Sequence, residues 1–336
     1  MIKTNIKVIL NFCLTDKSYT LIREIYYSLL DTRSNPFYPL SCYLQGCSSY
    51  LFKSKSVNIV NSTIRGIVVD SKIKFPSLLI STNTGLFLFK GNELIQLFSG
   101  YRFHGTSNIG STWITTEISE GHKFGRIIKF KIGADGVLDV KEIFRTPCQY
   151  FHQADFVGEY LYVTDSSWAT FGDRLHKMKF SKDMSKLESH VSVKLERPDN
   201  YIHINSIYSV NGKQFIMFHN NTILRGVKSV IMEYDLEWNF VEQHEIGGTH
   251  AHNIFALKSG LCFLDSAKGR MIWGGKSIEV SDGFTRGLAV SDKYIFVGSS
   301  IRQERSERYD TAPSIYLFEK ETLKKLSCVK LPNIGD

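Results

Sequence analysis

Four segments of this chain open in the same way: an aromatic or small residue, a histidine, a short strand, a turn carrying glycine or a polar residue, and a second strand with a polar end. They are YRFHGTSNIGSTWITTEI from Tyr101, YFHQADFVGEYLYVTDS from Tyr150, YIHINSIYSVNGKQFIMFHN from Tyr201 and THAHNIFALKSGLCFLDS from Thr249. They place His104, His152, His203 and His252 at matching points, and two further segments, IRGIVVD and TRGLAVS, put Arg65 and Arg286 there instead. The six marked residues are 39, 48, 51, 49 and 34 positions apart. Recurrence at such intervals is the signature of arrays, solenoids and propellers.

Within each unit the apolar residues alternate with a period of two and break at Gly, Asn, Asp and Lys turns, which excludes helical repeats. Four strands per unit and six units are the arithmetic of a six-bladed β-propeller, whose innermost strands line a central channel. An open pair of sandwiches would leave the recurrence unexplained. The expected organisation is an N-terminal extension over 1–63 and an all-β propeller over 64–336. The extension carries one amphipathic helix over 18–31, with Leu21, Ile22, Ile25, Tyr26, Leu29 and Leu30 at helical spacing. It also carries a hairpin over 49–60 that is a candidate for closing the ring or for an incomplete seventh blade. The sixth unit contains a charged insertion, IRQERSERYD, read either as a loop over one face of the channel or as a solvated surface loop.

Aromatic residues make up 13% of the chain, which suits strands packed face to face. The formal charge of +8 favours acidic partners, but no dense basic run is interleaved with aromatics, so nucleic acid is not an expected ligand. The six cysteines form no CxxC pair and no short metal-ligand spacing, and they read as reduced thiols of a cytoplasmic protein. Residues 8–14 are apolar but interrupted by Asn11, and no window reaches the roughly 20 apolar residues of a spanning helix, so no membrane association is expected.

If every marked residue starts an innermost strand, His104, His152, His203 and His252 meet at one level of the axis, where four imidazoles can bind a divalent transition-metal ion. On that reading the first and sixth blades adjoin, and Arg65 and Arg286 side by side form a receptor for a carboxylate, sulfate or phosphate. The plainer reading of the same histidines is a repeated hydrogen-bonding residue that pins one blade to the next. His250, two residues before His252, is expected on the opposite face of its strand. Where the second strands end, Glu117, Asp165 and Asp265, with His219, are candidate acid–base groups or partners orienting the histidines, and equally candidate turn-formers. Tyr101 and Tyr201, with Tyr150 and Phe284, either ring the mouth as ligand-stacking residues or pack between blades. There is no GxSxG elbow, Walker loop, GxGxxG after a strand or HExxH.

The sixth unit, GFTRGLAVSDKYIFVGSS followed by the insertion and KLPNIGD, resembles a family of uncharacterised bacterial proteins with a six-bladed, gluconolactonase-like propeller, and the units at His152, His203 and His252 are similar to it as well. The resemblance covers residues 64–336 and implies a fold rather than a reaction. The functional expectation is an enzyme of lyase or hydrolase type, working at the central channel on an anionic small molecule or sugar derivative with a divalent metal ion. The competing expectation is a non-catalytic propeller module that binds a glycan or a protein partner.

Overall fold

The structure is a computed structural model that describes residues 57–70, 75–119, 124–134, 136–147, 150–166, 173–193, 195, 203–220, 227–302 and 308–335. The expected helix over 18–31 and residues 49–56 of the expected hairpin lie outside them.

Alternating apolar strands with tight turns give antiparallel sheets, and six of them form. Blade 2 runs through Phe103–Ile109, Thr112–Ile118, Phe124–Gly133 and Gly136–Pro147; blade 3 through Phe151–Val157, Tyr160–Asp165, Arg174–Phe180 and Leu187–Val193. Blade 4 uses Ile204–Val210, Lys213–Phe218, Val230–Tyr234 and Phe240–Glu245, and blade 5 uses His252–Leu257, Gly260–Asp265, Arg270–Trp273 and Lys276–Glu279. Blade 6 consists of Phe284–Val290, Tyr294–Ser300, Ser314–Glu319 and Lys325–Lys330. In blades 2 to 6 the first strands of successive blades contact one another, so these are the innermost strands. Asn211-Gly212 shows how the turns are made: φ is 53° and 76°, the left-handed pair demanded by a two-residue hairpin that follows the twist of its strands.

Strands wedged between two neighbours must be apolar on both faces, and the second strand of blade 4 shows this. Phe215 and Met217 pack toward blade 5, while Ile216 and Phe218 pack toward blade 3. Six buried clusters result, one at each junction between neighbouring blades. The sixth closes the ring: Phe87, Phe89 and Leu94 of blade 1 pack on Phe296, Leu317 and Val329 of blade 6.

Blade 1 departs from the sequence expectation. Its sheet runs Asn58–Ile64, Glu93–Ser99, Gly85–Lys90, Leu78–Ser81. Ser81 Oγ donates to the His104 carbonyl at 2.6 Å, as Thr116 Oγ1 of a second strand does to the His152 carbonyl at 3.4 Å. Leu78–Ser81 therefore does the work of a second strand. The segment expected to line the axis, residues 64–70, lies on the outside instead: Asn58–Ile64 borders blade 1, and Val68–Asp70 adds a fifth strand to the outer edge of blade 6. The sheets thus take in residues ahead of the expected boundary at 64, and the part of the 49–60 hairpin that is described forms an outer strand of blade 1.

Candidate functional site

The innermost strands converge on one end of the channel, and each of blades 2 to 6 breaks register where its strand begins. The irregularities fall between Phe103 and Thr106, Phe151 and Ala154, Ile204 and Ser206, His252 and Ile254, and Thr285 and Leu288. Bulges of this kind re-aim side chains at the rims of sheets. Counted from them, His104, His152, His252 and Arg286 are equivalent. Ile204 takes that place in blade 4, and His203 stands one residue earlier.

His203 nevertheless reaches the cluster, because φ of +67° turns it out of the strand path. Its Nε2 lies 3.2 Å from Nε2 of His152. The His104 and His152 rings are 5.2 Å apart. On the other side His219 stacks on His203 at 4.6 Å and on His250 at 4.5 Å, and meets His252 edge-on at 5.1 Å. Six of the ten histidines are thereby collected at one end of the channel. Phe284 lies 5.7 Å from the His252 ring, and the Arg286 guanidinium lies over Phe284 at 4.9 Å. His250 corrects an expectation: it precedes its strand with φ of +52°, so strand alternation does not apply and it turns inward onto His219.

Crowding sets the charge of this cluster. Burial first, then the neighbouring rings and Arg286, hold His152, His219 and His252 well below the ordinary imidazole range, so all three are neutral at pH 7. His252 Nδ1 sits 2.7 Å from the His250 carbonyl and 2.9 Å from Ser266 Oγ. A carbonyl only accepts, so Nδ1 carries the proton and Nε2 keeps its lone pair. The contact fixes the ring's tautomer and orientation.

Two imidazole nitrogens 3.2 Å apart match a pair of ligands on one tetrahedral ion, for which metal–nitrogen bonds of about 2.0–2.1 Å imply about 3.3 Å. Neutral imidazoles suit such an ion. A third nitrogen is not yet in place. Among the described residues, the group whose ligand atoms all lie within 4.8 Å of one another is Glu233, Glu242 and His244 on the outer strands of blade 4. There Lys213 Nζ is already 2.8 Å from Glu233.

The three carboxylates expected to act as acids or bases are engaged in their own blades. Asp165 accepts from the backbone N–H of Tyr150 at 3.0 Å and lies 3.2 Å from His176 Nε2. Asp265 accepts from the backbone N–H of Thr249 at 3.0 Å and from its hydroxyl at 3.1 Å, and Lys268 approaches at 3.1 Å. Glu117 is buried against Arg126 at 2.7 Å and also accepts from the Tyr101 backbone. All three anchor the stretch leading into an innermost strand. Arg65 is exposed on the outside of the ring, away from Arg286, because its segment runs between two outer strands. Tyr201 lies outside the described residues. Tyr101 stacks at 5.1 Å on Tyr309 of the blade 6 insertion, whose hydroxyl accepts from Arg102 Nε at 2.9 Å. The described end of that insertion, Arg308–Asp310, thus meets the stretch leading into blade 2. Ser266 and the inward turn of His250 carry no sequence signal, whereas His219 falls at the predicted second-strand end.

No family model matches this chain, and no curated protein matches it. Among solved structures it is similar to a dihydro-heme d1 dehydrogenase, NirN, at 9% identity over 84% of this chain and 68% of that one, with a TM-score of 0.40. It is also similar to a luciferin-regenerating enzyme at 9% identity over 80% and 96% of the two chains, with a TM-score of 0.46. A prolyl endopeptidase gives 11% identity over 74% of this chain but 40% of its own, with a TM-score of 0.39. Likeness at this level carries no argument about activity. The six-bladed ring itself rests on the sheets and the six junction clusters.

Proposed function

We propose that the histidine-lined mouth is an enzyme site for an anionic small molecule or sugar derivative, of lyase or hydrolase type. His152 and His203 would hold a divalent metal ion, with His104 and His252 as the further ligands. The observation that carries the reading is the pair of Nε2 atoms at 3.2 Å, one on each of two blades, beside the neutral imidazoles of His219 and His252. When bound, such an ion polarises an acidic C–H neighbour or a scissile carbonyl, or sharpens a water. Arg286, always charged, pairs with a carboxylate or phosphate of the ligand. His219 stacks on His203 at 4.6 Å and on His250 at 4.5 Å and so walls the pair on that side. Phe284 and the tyrosine pair at Tyr101 wall the mouth.

The engagement of Glu117, Asp165 and Asp265 favours the second reading, a binding module for a glycan or protein partner. The two separate in one experiment: purified protein loaded with Zn²⁺ or Mn²⁺, passed over a desalting column and submitted to elemental analysis. The metal site predicts close to one ion per chain, lost in His152→Ala and His203→Ala, with a melting temperature raised by the metal only in the parent. Metal-free protein under all loadings removes the metal enzyme and leaves the module.

A further inference from the structure

Away from the mouth, an open groove of about 530 Å³ runs between the outer parts of blades 3 and 4. Lys177, Ser189 and Ser192 line it from blade 3, and Glu237, Trp238 and Asn239 from the last turn of blade 4. Trp238 is 7% exposed, and its Nε1–H meets no acceptor. An unmet buried donor is unfavourable. Its backbone is strained as well: φ is +70°, a left-handed conformation uncommon for a bulky side chain. The turn is held there by Asp235, whose carboxylate accepts from the backbone of Glu237 at 3.0 Å and of Asn239 at 2.8 Å. Strain and an orphan donor on one residue at a groove wall mark a site that something completes.

The lining narrows what that is. Lys177 and Trp238 only donate, Glu237 only accepts, and the serines and Asn239 do both. A carboxylate ligand would oppose Glu237, and a cation would oppose Lys177, which already sits over the Tyr160 ring at 4.1 Å. Vicinal hydroxyls donate and accept at once, and a sugar ring adds an apolar face for Tyr160 and Val191. We infer that the groove between blades 3 and 4 is a carbohydrate subsite, separate from the histidine mouth, in which a ligand hydroxyl becomes the acceptor for Trp238.

The test is a glycan array of neutral and acidic oligosaccharides, followed by titration of the best array sugar by tryptophan fluorescence. Trp238→Phe keeps the ring and removes the donor, and it is expected to weaken binding roughly tenfold, as is Lys177→Gln. His152→Ala leaves this binding unchanged, which keeps it apart from the mouth. No bound sugar at millimolar concentration overturns the inference. Binding that survives both groove variants, or that is lost only with His152→Ala, overturns it equally.

Discussion

Acid should unfold this protein through its histidine cluster, and the amount follows from the charge states. His152, His219 and His252 are neutral in the fold because burial and their neighbours lower their pKa values well below the ordinary value of 6.5. In the unfolded chain the same groups protonate normally. Below pH 6.5 the unfolded state therefore binds more protons, and stability present above that value is lost as pH falls toward the folded pKa values. Between pH 7 and about 5.5 each such group contributes on the order of 1 kcal/mol of loss, and the three together a few kcal/mol, a large part of a typical stability. His190, drawn down to about 4 by burial and by His176 and Arg174, acts with the same sign but is exposed and screened. Glu117 and Asp155 have raised pKa values, chiefly from burial, and act with the opposite sign. Urea unfolding at the two pH values, followed by tryptophan fluorescence, measures the difference. Replacing His252 by Gln should reduce the loss by about one third. A stability that is flat or rising from pH 7 to about 5.5 refutes the neutral cluster.

The other expectations concern single residues. Glu117→Gln should cost about 1 kcal/mol by weakening the buried contact to Arg126, which keeps Glu142 at 3.3 Å; a slightly lower melting temperature with metal loading intact checks this, and the reverse pattern favours Glu117 as a catalytic group. Gly105→Ala should cost about 1–3 kcal/mol or more, since its Cβ would collide with the Ala154 nitrogen and stand 2.7 Å from the His152 carbonyl oxygen. The strands must part, so metal affinity should fall with the melting temperature. His203→Ala should change stability within about 1 kcal/mol, its ring being only partly buried, while abolishing metal retention. Arg286→Lys should weaken binding of galacturonate about tenfold by losing the bidentate contact, as calorimetry would show.

The repeat was legible because a blade squeezed between two others needs apolar residues on both faces, and strands such as KQFIMF announce that requirement locally. Blade 1 was illegible for the complementary reason. IRGIVVD carries the same alternation whether it lines the axis or borders an outer edge, and only the pairing of Val68–Asp70 with Lys325–Lys330 decides between them. Arg65 was misplaced with it. The carboxylates fall at strand ends, where sequence alone does not fix their role: a strand-end Asp looks the same whether it faces a ligand or holds the N–H of a residue fifteen positions back, as Asp165 does.

Blade 4 shows how a one-residue displacement is absorbed. Ile204, in the register place of His152, is fully buried in the junction with blade 3, so that place in blade 4 belongs to the core. His203 must then come from outside the ladder, and the left-handed backbone at that residue is what allows it. Two contacts hold the conformation: the His203 N–H donates to Asp173, and its carbonyl accepts from the His219 N–H at 3.0 Å. Left-handed backbone costs about 1–2 kcal/mol for a residue with a Cβ. The bend brings His203 Nε2 within hydrogen-bond distance of His152 on blade 3, so it suits the pinning reading as well as the metal one, and the two separate in a direct check. Asp173→Asn weakens the hold on the backbone without touching either ring; if metal affinity then falls while the melting temperature barely moves, the bent backbone serves the ligand, and if both are unchanged the bend serves neither.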